Sequence, residues 1–326
     1  MLPYSRVLVT GGTGFIGRHL VVELRRAGCA VTVLCRSESA AKGDPSVVTV
    51  LGDVRDPTAV ARAMRDVEVV FHLAAWNGAQ RPGDTVDELV QTNVDGTRQV
   101  LYAARAAEVK RLVHFSSVKV LGETTDGAAG QASLSPYGKS KREAEQLVGD
   151  AEALSPLVVC CLRLSPVWGP GHRGNLYRLL AAIDRGRVPP LPALRNKRSL
   201  VHVDDVVQVA LRAASHPAAP GKTYTVTDGH AYSGTEIYES LASALGRRIP
   251  AWRVPLWALL AAARLGDLIA VTRYAWPFDS AALLKLVASA YYEDARLEEE
   301  LGFKPMIDLE RGLPSFVAWH RRESHG

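Results

Sequence analysis

Val7-Leu8-Val9-Thr10-Gly11-Gly12-Thr13-Gly14-Phe15-Ile16-Gly17 is the stretch on which the fold turns. An apolar run feeds a glycine-rich turn, and the turn opens a helix whose inward face carries Leu20, Val21 and Leu24. Each glycine in this spacing has its own role. One permits a tight turn, one lets the backbone approach a pyrophosphate, and one allows a helix to pack closely on a strand. Gly12, Gly14 and Gly17 fit G-x-G-x-x-G, while Gly11, Gly14 and Gly17 keep a second, three-residue spacing. The helix N-terminus offers unpaired N–H groups and the positive end of its dipole to phosphates. Gly11, Gly14, Phe15, Ile16 and Gly17 are therefore candidates for holding a dinucleotide. A turn of this kind also serves as plain punctuation between strand and helix. Its weight comes from Tyr137 and Lys141, about 120 residues downstream.

Outward from the turn, short β-rich apolar runs alternate with helical patterns. Strands are predicted near Arg6–Thr10, Ala30–Cys35, Val47–Leu51, Val67–Leu73, Arg111–Ser116 and Leu157–Leu164. Helices are predicted near Gly17–Ala27, Pro57–Met64, Val86–Ala107 and Tyr137–Ala153. Apolar strands separated by helices imply an α/β fold, a Rossmann-type doubly wound parallel sheet covered on both faces. Ligands bind such sheets beyond the carboxyl ends of the strands, where Gly11, Arg36, Asp53, Ala74 and Ser117 all fall. After Arg163 the pattern changes. Trp168-Gly169-Pro170-Gly171 reads as a loop, Asn175–Arg185 as a helix, Leu200–Val203 as a strand, Asp204–Ala214 as a helix and Tyr224–Thr227 as another strand. The remainder is mostly helical, with Pro250, Pro255, Pro277, Pro305 and Pro314 expected to break it into short pieces. The expected organisation is a dinucleotide-binding domain over residues 1–166, joined by part of 200–227. Residues 167–199 and 228–326 would then form a smaller, mostly helical C-terminal substrate domain. The chain holds no internal repeat.

Ser135-Pro136 is a good helix start, so Tyr137 and Lys141 lie one turn apart on a shared face. A phenol titrates too high for proton transfer at neutral pH. An ammonium one turn away, together with an oxidised nicotinamide, is expected to lower it. Ser117 ends a strand, where its hydroxyl can reach the same substrate oxygen as Tyr137. Ser117, Tyr137 and Lys141 are the catalytic candidates. A surface tyrosine and lysine on an exposed helix would satisfy the same spacing.

Composition excludes several classes. The chain is 47% hydrophobic and 22% charged, with a formal net charge of +5. Its basic residues are scattered rather than clustered with aromatics, which argues against nucleic acid as a partner. Cys29, Cys35, Cys160 and Cys161 sit in strand-like runs, and neighbours on a strand face opposite ways. No C-x-x-C or zinc spacing occurs, so no metal is expected and a reducing, cytoplasmic setting is. No signal peptide is expected before the first strand. The longest apolar stretch, Val254–Ala263, is half the ~20 residues of a membrane span, so no integral membrane segment is expected.

These pieces resemble an extended short-chain dehydrogenase/reductase of the NAD-dependent epimerase/dehydratase family. The resemblance runs through Thr10–Gly17, Gly52-Asp53, His72-Leu73-Ala74-Ala75, Asn93-Val94-Asp95-Gly96-Thr97, Phe115-Ser116-Ser117, Tyr137–Lys141, Arg163–Gly171 and Val201-His202-Val203-Asp204-Asp205. It implies that Ser117 rather than Ser116 is catalytic. It further implies that Asp53, followed by Val54, meets the adenine amino group. Leu73, Ala74 and Ala75 would line the cofactor, Tyr137 and Lys141 would also touch it, and Asn93 would stiffen the site near the ribose.

The second strand ends Cys35-Arg36, where an NAD site places a carboxylate for the ribose hydroxyls; a guanidinium there suits a 2′-phosphate. NADP(H) is thus favoured, with NAD(H) as the alternative. Gly174-Asn175-Leu176 and Arg195–Val203 resemble nucleotide-sugar-binding segments, which makes Asn175 and Arg198, besides Ser117, the substrate-binding candidates. The expected partner is a small molecule, a UDP-sugar, reduced at a 4-keto group or epimerised at C4. The segment Trp276–Tyr292 departs from the family's pattern on the uridine side. A hydrophobic, sterol-like ketone housed by Trp257–Ala263 and Ala281–Ala288 is a further reading, and a non-catalytic dinucleotide sensor another. The oligomeric state stays open, a homodimer included.

Overall fold

The computed structural model describes residues 3–37, 45–77, 85–122, 134–270, 280–293 and 295–325. Seven parallel strands form one sheet in the order β3-β2-β1-β4-β5-β6-β9. They are β1 (Arg6–Thr10), β2 (Ala30–Cys35), β3 (Val48–Leu51), β4 (Val69–His72), β5 (Arg111–Ser117), β6 (Val158–Leu164) and β9 (Lys222–Val226). β1 pairs with both β2 and β4, so the chain reverses direction across the sheet at β1. That reversal opens a crevice above the carboxyl end of β1, the place where ligands bind in this architecture.

The continuous apolar runs have a simple cause. With both faces covered, residues pointing either way must be apolar. Val7 and Val9 pack in one buried cluster with Leu20 and Leu24 of helix α1 (Phe15–Arg26). Leu8 points the other way, into a cluster with Ala59 and Val60 of α2 (Pro57–Ala63) and Val100 of α4 (Gly96–Ala106). Each fully buried leucine contributes roughly 1.5–3 kcal/mol relative to exposure.

The segment Val86–Ala107, expected as one helix, is α3 (Val86–Val90) and α4 separated by a π-turn over Gln91–Asp95. One inserted residue there widens the helix, and buried Asn93 sits on the widened turn. Helix α5 (Pro136–Ala153) starts at Ser135, whose hydroxyl accepts from the Gly138 N–H at 3.2 Å.

Beyond β6, Val167–Trp168 (β7) pairs in parallel with Val201–His202 (β8). Trp168 therefore begins the expected loop as part of a two-residue strand. Helices α6 (Asn175–Asp184), α7 (Val203–Ser215) and α8 (Gly234–Ala244) follow, then α9 (Leu256–Ala270), α10 (Ser280–Val287), α11 (Arg296–Leu301) and α12 (Leu309–His325). Trp168, Leu180, Leu241 and Phe316 belong to a third buried cluster, apart from the sheet. Pro314 does not break the chain as expected but lies inside α12. Packing of Phe316 and Val317 in that cluster outweighs the single lost N–H bond. Pro277 and Trp276 lie outside the described residues. All four cysteines are buried and free. Among the described residues no helix is long and apolar enough to cross a membrane, and no histidine, cysteine or acid cluster could hold a metal.

Candidate active site

The glycine turn closes on itself. A Cβ on Gly17 would lie 2.3 Å from the Gly11 carbonyl oxygen and 2.7 Å from the Gly12 Cα, so only glycine lets α1 approach β1. Gly11 has φ +71°, and its Cβ would lie 2.8 Å from the Ala74 nitrogen. At Gly14 a Cβ would meet only the Gly11 oxygen, at 3.2 Å, and would otherwise project into the open crevice. The first turn of α1 has no side-chain cap and no acid among the described residues. An uncapped helix end, with a bare backbone facing a crevice, fits the pyrophosphate of a dinucleotide.

A cavity of about 860 Å³ runs from this turn across the sheet edge. Gly11, Gly14, Phe15, Ile16, Gly17, Leu73, Ala75, Ser117, Tyr137, Lys141, Asn175 and Arg198 all face it. Residues far apart in sequence thus meet in one space. Arg36 is exposed at the end of β2 and Val54 is buried; neither lines this cavity. Ala74 touches the turn from behind, its N–H donating to Thr10 Oγ1 at 3.2 Å.

Tyr137 is half-buried and shares a side-chain hydrogen bond with Ser117. Burial pushes its phenol up, and the Ser117 bond offsets this only in part. The expected lowering involves Lys141 together with an oxidised nicotinamide; in the protein alone burial is the larger influence on the phenol. Lys141 is 2% exposed, and its Nζ donates to the Phe115 carbonyl at 2.6 Å, with His114 Nε2 at 3.5 Å. Burial pulls this ammonium down to about 8.

Asn93 ties two parts of the site together. Its amide donates to the Trp76 carbonyl at 2.8 Å and to Ser140 Oγ at 2.9 Å, and its carbonyl accepts from the Trp76 N–H at 2.7 Å. The strap runs from the chain after β4 to the helix that bears Tyr137 and Lys141. Asp53 is engaged by Arg55 through Nε and Nη2, each at 2.9 Å. Burial pushes the Asp53 carboxyl up, but the Arg55 contacts outweigh it and hold it below the usual range. An adenine amino group would share this carboxylate with Arg55.

The basic segment divides. Arg195 and Lys197 are exposed, and Lys197 sits over the Tyr291 ring. Arg198 alone of the three lines the cavity, half-buried, and burial lowers its guanidinium from the ordinary value. Its backbone is bridged to Tyr232 in both directions, at 2.8 and 2.9 Å. Buried Asn196 is structural: its amide donates to Leu286 and Ala288 carbonyls.

Two histidines escape a reading for catalytic spacing. His72 bonds Thr10 Oγ1 at 2.7 Å and Thr97 Oγ1 at 2.9 Å, and burial pulls it down to about 3. His114, beside Lys141, is likewise held well below its usual range by burial and by that ammonium. A polar residue breaking the apolar run of β5 was the available signal.

Comparison with known proteins identifies the family. A profile of the NAD dependent epimerase/dehydratase family matches residues 7–227. A 3-beta-hydroxysteroid dehydrogenase of Mycolicibacterium neoaurum is 26% identical over 97% of this chain and 91% of its own. A UDP-glucose 4-epimerase of Vibrio cholerae is 29% identical over 96% and 94%. The structure of MoeE5 in complex with UDP-glucuronic acid and NAD is 29% identical, covers 98% of this chain and 100% of that one, and superposes with a TM-score of 0.75. With the glycine turn, the Ser–Tyr–Lys site and the seven-stranded parallel sheet in place, the chain belongs to the NAD-dependent epimerase/dehydratase family of extended short-chain dehydrogenases, and it is an enzyme.

Proposed function

We propose that the protein is a reductase of a nucleotide-activated sugar, most specifically of a 4-keto group on a UDP-sugar, and that it prefers NADP(H). The observation that carries this reading is Arg198. Its guanidinium, which also donates to the Ala288 carbonyl at 3.4 Å, is a half-buried cation in a cavity wall that includes Leu164, Pro166, Leu176, Leu200 and Ile237, a setting that suits an anionic ligand. A diphosphate supplies it, with Asn175 at the start of α6 as a second contact.

The glycine turn and the first N–H groups of α1 would hold the cofactor's pyrophosphate, and Arg36 its 2′-phosphate. When bound, the nicotinamide supplies the hydride. Ser117 and Tyr137, already hydrogen-bonded to each other, converge on one position, and a substrate carbonyl oxygen placed there accepts from both. Tyr137 gives its proton to that oxygen as the carbonyl carbon gains hydride. Lys141, one turn along, faces the phenolate left behind with a positive charge. Burial keeps the Tyr137 phenol protonated before the reaction, and the Lys141 charge with the oxidised nicotinamide would ease its loss of the proton.

UDP is expected to compete with substrate, and Arg198→Ala to weaken UDP at least tenfold without altering NADP(H) affinity, as removal of a charge-assisted contact does. Calorimetry showing no UDP binding at millimolar concentration would refute the reading. A second reading, reduction of a hydrophobic ketone, draws on the same apolar lining and on the similarity to a steroid dehydrogenase. NADPH consumption screened over UDP-sugars and apolar ketones separates the two. A 4-epimerase would turn over UDP-sugar without consuming cofactor.

A further inference from the structure

Most polar side chains lining the cavity have a role or an internal partner. Ser117, Tyr137 and Lys141 form the catalytic group, Arg198 and Asn175 the proposed diphosphate contacts, and Ser199 Oγ accepts from the Tyr292 N–H at 2.9 Å. His172 has neither. No hydrogen bond reaches either of its ring nitrogens among the described residues, and Nδ1 is buried without a partner.

The ring is nonetheless fixed. It stacks on Phe15 with centroids 4.6 Å apart and planes 19° from parallel. Gly174 also lies against the ring: a Cβ there would fall 2.2 Å from Cε1 and 2.6 Å from Nε2. Any side chain at 174 would expel the imidazole. The loop that carries it turns at Gly171, φ +93°, and the His172 N–H closes onto the Gly169 carbonyl at 3.2 Å. A clamped imidazole without an internal acceptor, in a cavity wall, is a group waiting for a ligand. It sits between the residue that opens α1 and the residue before Asn175, the two places where this cavity would hold phosphate. Burial lowers the imidazole's titration, so it meets a ligand as a neutral donor.

We propose that His172 is a phosphate-binding residue, donating from Nε2 to a diphosphate oxygen of a ligand in this cavity. The diphosphate is that of the dinucleotide or that of the substrate; the second source rests on the reading given under Proposed function, the first does not. The test uses the full chain with His172→Phe, which keeps the stack on Phe15 and removes the donor, and His172→Gln, whose amide can replace it. Dissociation constants for NAD, NADP and UDP are measured by calorimetry. His172→Phe is expected to weaken one class about tenfold, and His172→Gln to restore most of it. Loss confined to the dinucleotides assigns the contact to the cofactor, and loss confined to UDP assigns it to the substrate. Constants within twofold of wild type for all three probes, or a loss that His172→Gln shares in full, would overturn the proposal.

Discussion

Replacing Lys141 by methionine is expected to stabilise the protein while abolishing its activity. The ammonium is 2% exposed, and burial brings it from 10.5 to about 8. A depression of that size corresponds to ~3 kcal/mol of strain on the charged form. The folded-state value is depressed, so the sign runs one way. Below pH 8 both folded and unfolded lysine are charged, and the folded state carries the whole penalty. Between about 8 and 10.5 only the unfolded chain binds the proton, so wild-type stability rises with pH, by ~1.4 kcal/mol per unit. Methionine removes the penalty and fills similar volume, but it leaves the Phe115 carbonyl without its donor, which costs about 1–3 kcal/mol. The net expectation at pH 7 is a gain of about 0–2 kcal/mol. The assay is urea denaturation of wild type and Lys141→Met at pH 7, 8.5 and 10. Subtracting one from the other cancels every other titrating group. The difference should move toward wild type by roughly 2–3 kcal/mol between pH 7 and 10. A difference that stays flat across that range would refute the claim that Lys141 is a strained charge.

Other outcomes follow from the same geometry. Tyr137→Phe should lower turnover by about 10² or more with the fold intact, checked by steady-state kinetics beside circular dichroism; wild-type-like turnover would end the proton-donor assignment. Gly17→Ala would press a methyl onto the Gly11 oxygen and Gly12 Cα. It should cost about 1–3 kcal/mol of stability and abolish dinucleotide binding, read by melting and by calorimetry. Arg36→Ala should weaken NADPH about tenfold or more and leave NADH unchanged; equal constants for both cofactors in wild type would show that the guanidinium does not select.

Much of this was legible in the chain because it is local. The Gly14 and Gly17 positions are set by the turn's own backbone at Gly11 and Gly12, although Gly11 also backs onto Ala74, and the Tyr137–Lys141 spacing is set by one turn of helix. The long strands follow from two-sided burial. What escaped depends on remote partners. The π-turn at Gln91–Asp95 leaves no mark in an apolar pattern that otherwise reads as one helix, yet it sets Asn93 against Ser140 and Trp76. Pro314 reads as a breaker until Phe316 is seen packing on Trp168, with ring centroids 5.7 Å apart. Arg195, Lys197 and Arg198 form one basic cluster in sequence, and only the fold separates the cavity-lining one from the two exposed ones.

The strain on Lys141 has a structural origin in the sheet. Thr10, His72, His114 and Cys161 lie in register across β1, β4, β5 and β6. Residues in register on parallel strands share a face, so these four form a polar row beneath the site, where the apolar runs of the strands end. The row is polar without being charged: both histidines are held neutral by burial, and Cys161 is pushed well above its usual range by burial. The acid nearest to Lys141 in sequence on its own helix face, Glu145, is engaged by Arg163 through bonds of 2.7–3.1 Å. The ammonium is thus supported by a carbonyl and an imidazole at contact distance, and by Glu145 only as a charge shared with Arg163. On the proposed mechanism, a negative charge appearing on Tyr137 when it gives up its proton would meet this buried cation. Interactions of this kind strengthen between ground state and transition state, which is the condition for lowering a barrier. On that mechanism, the residue that strains the free protein is the one catalysis would use.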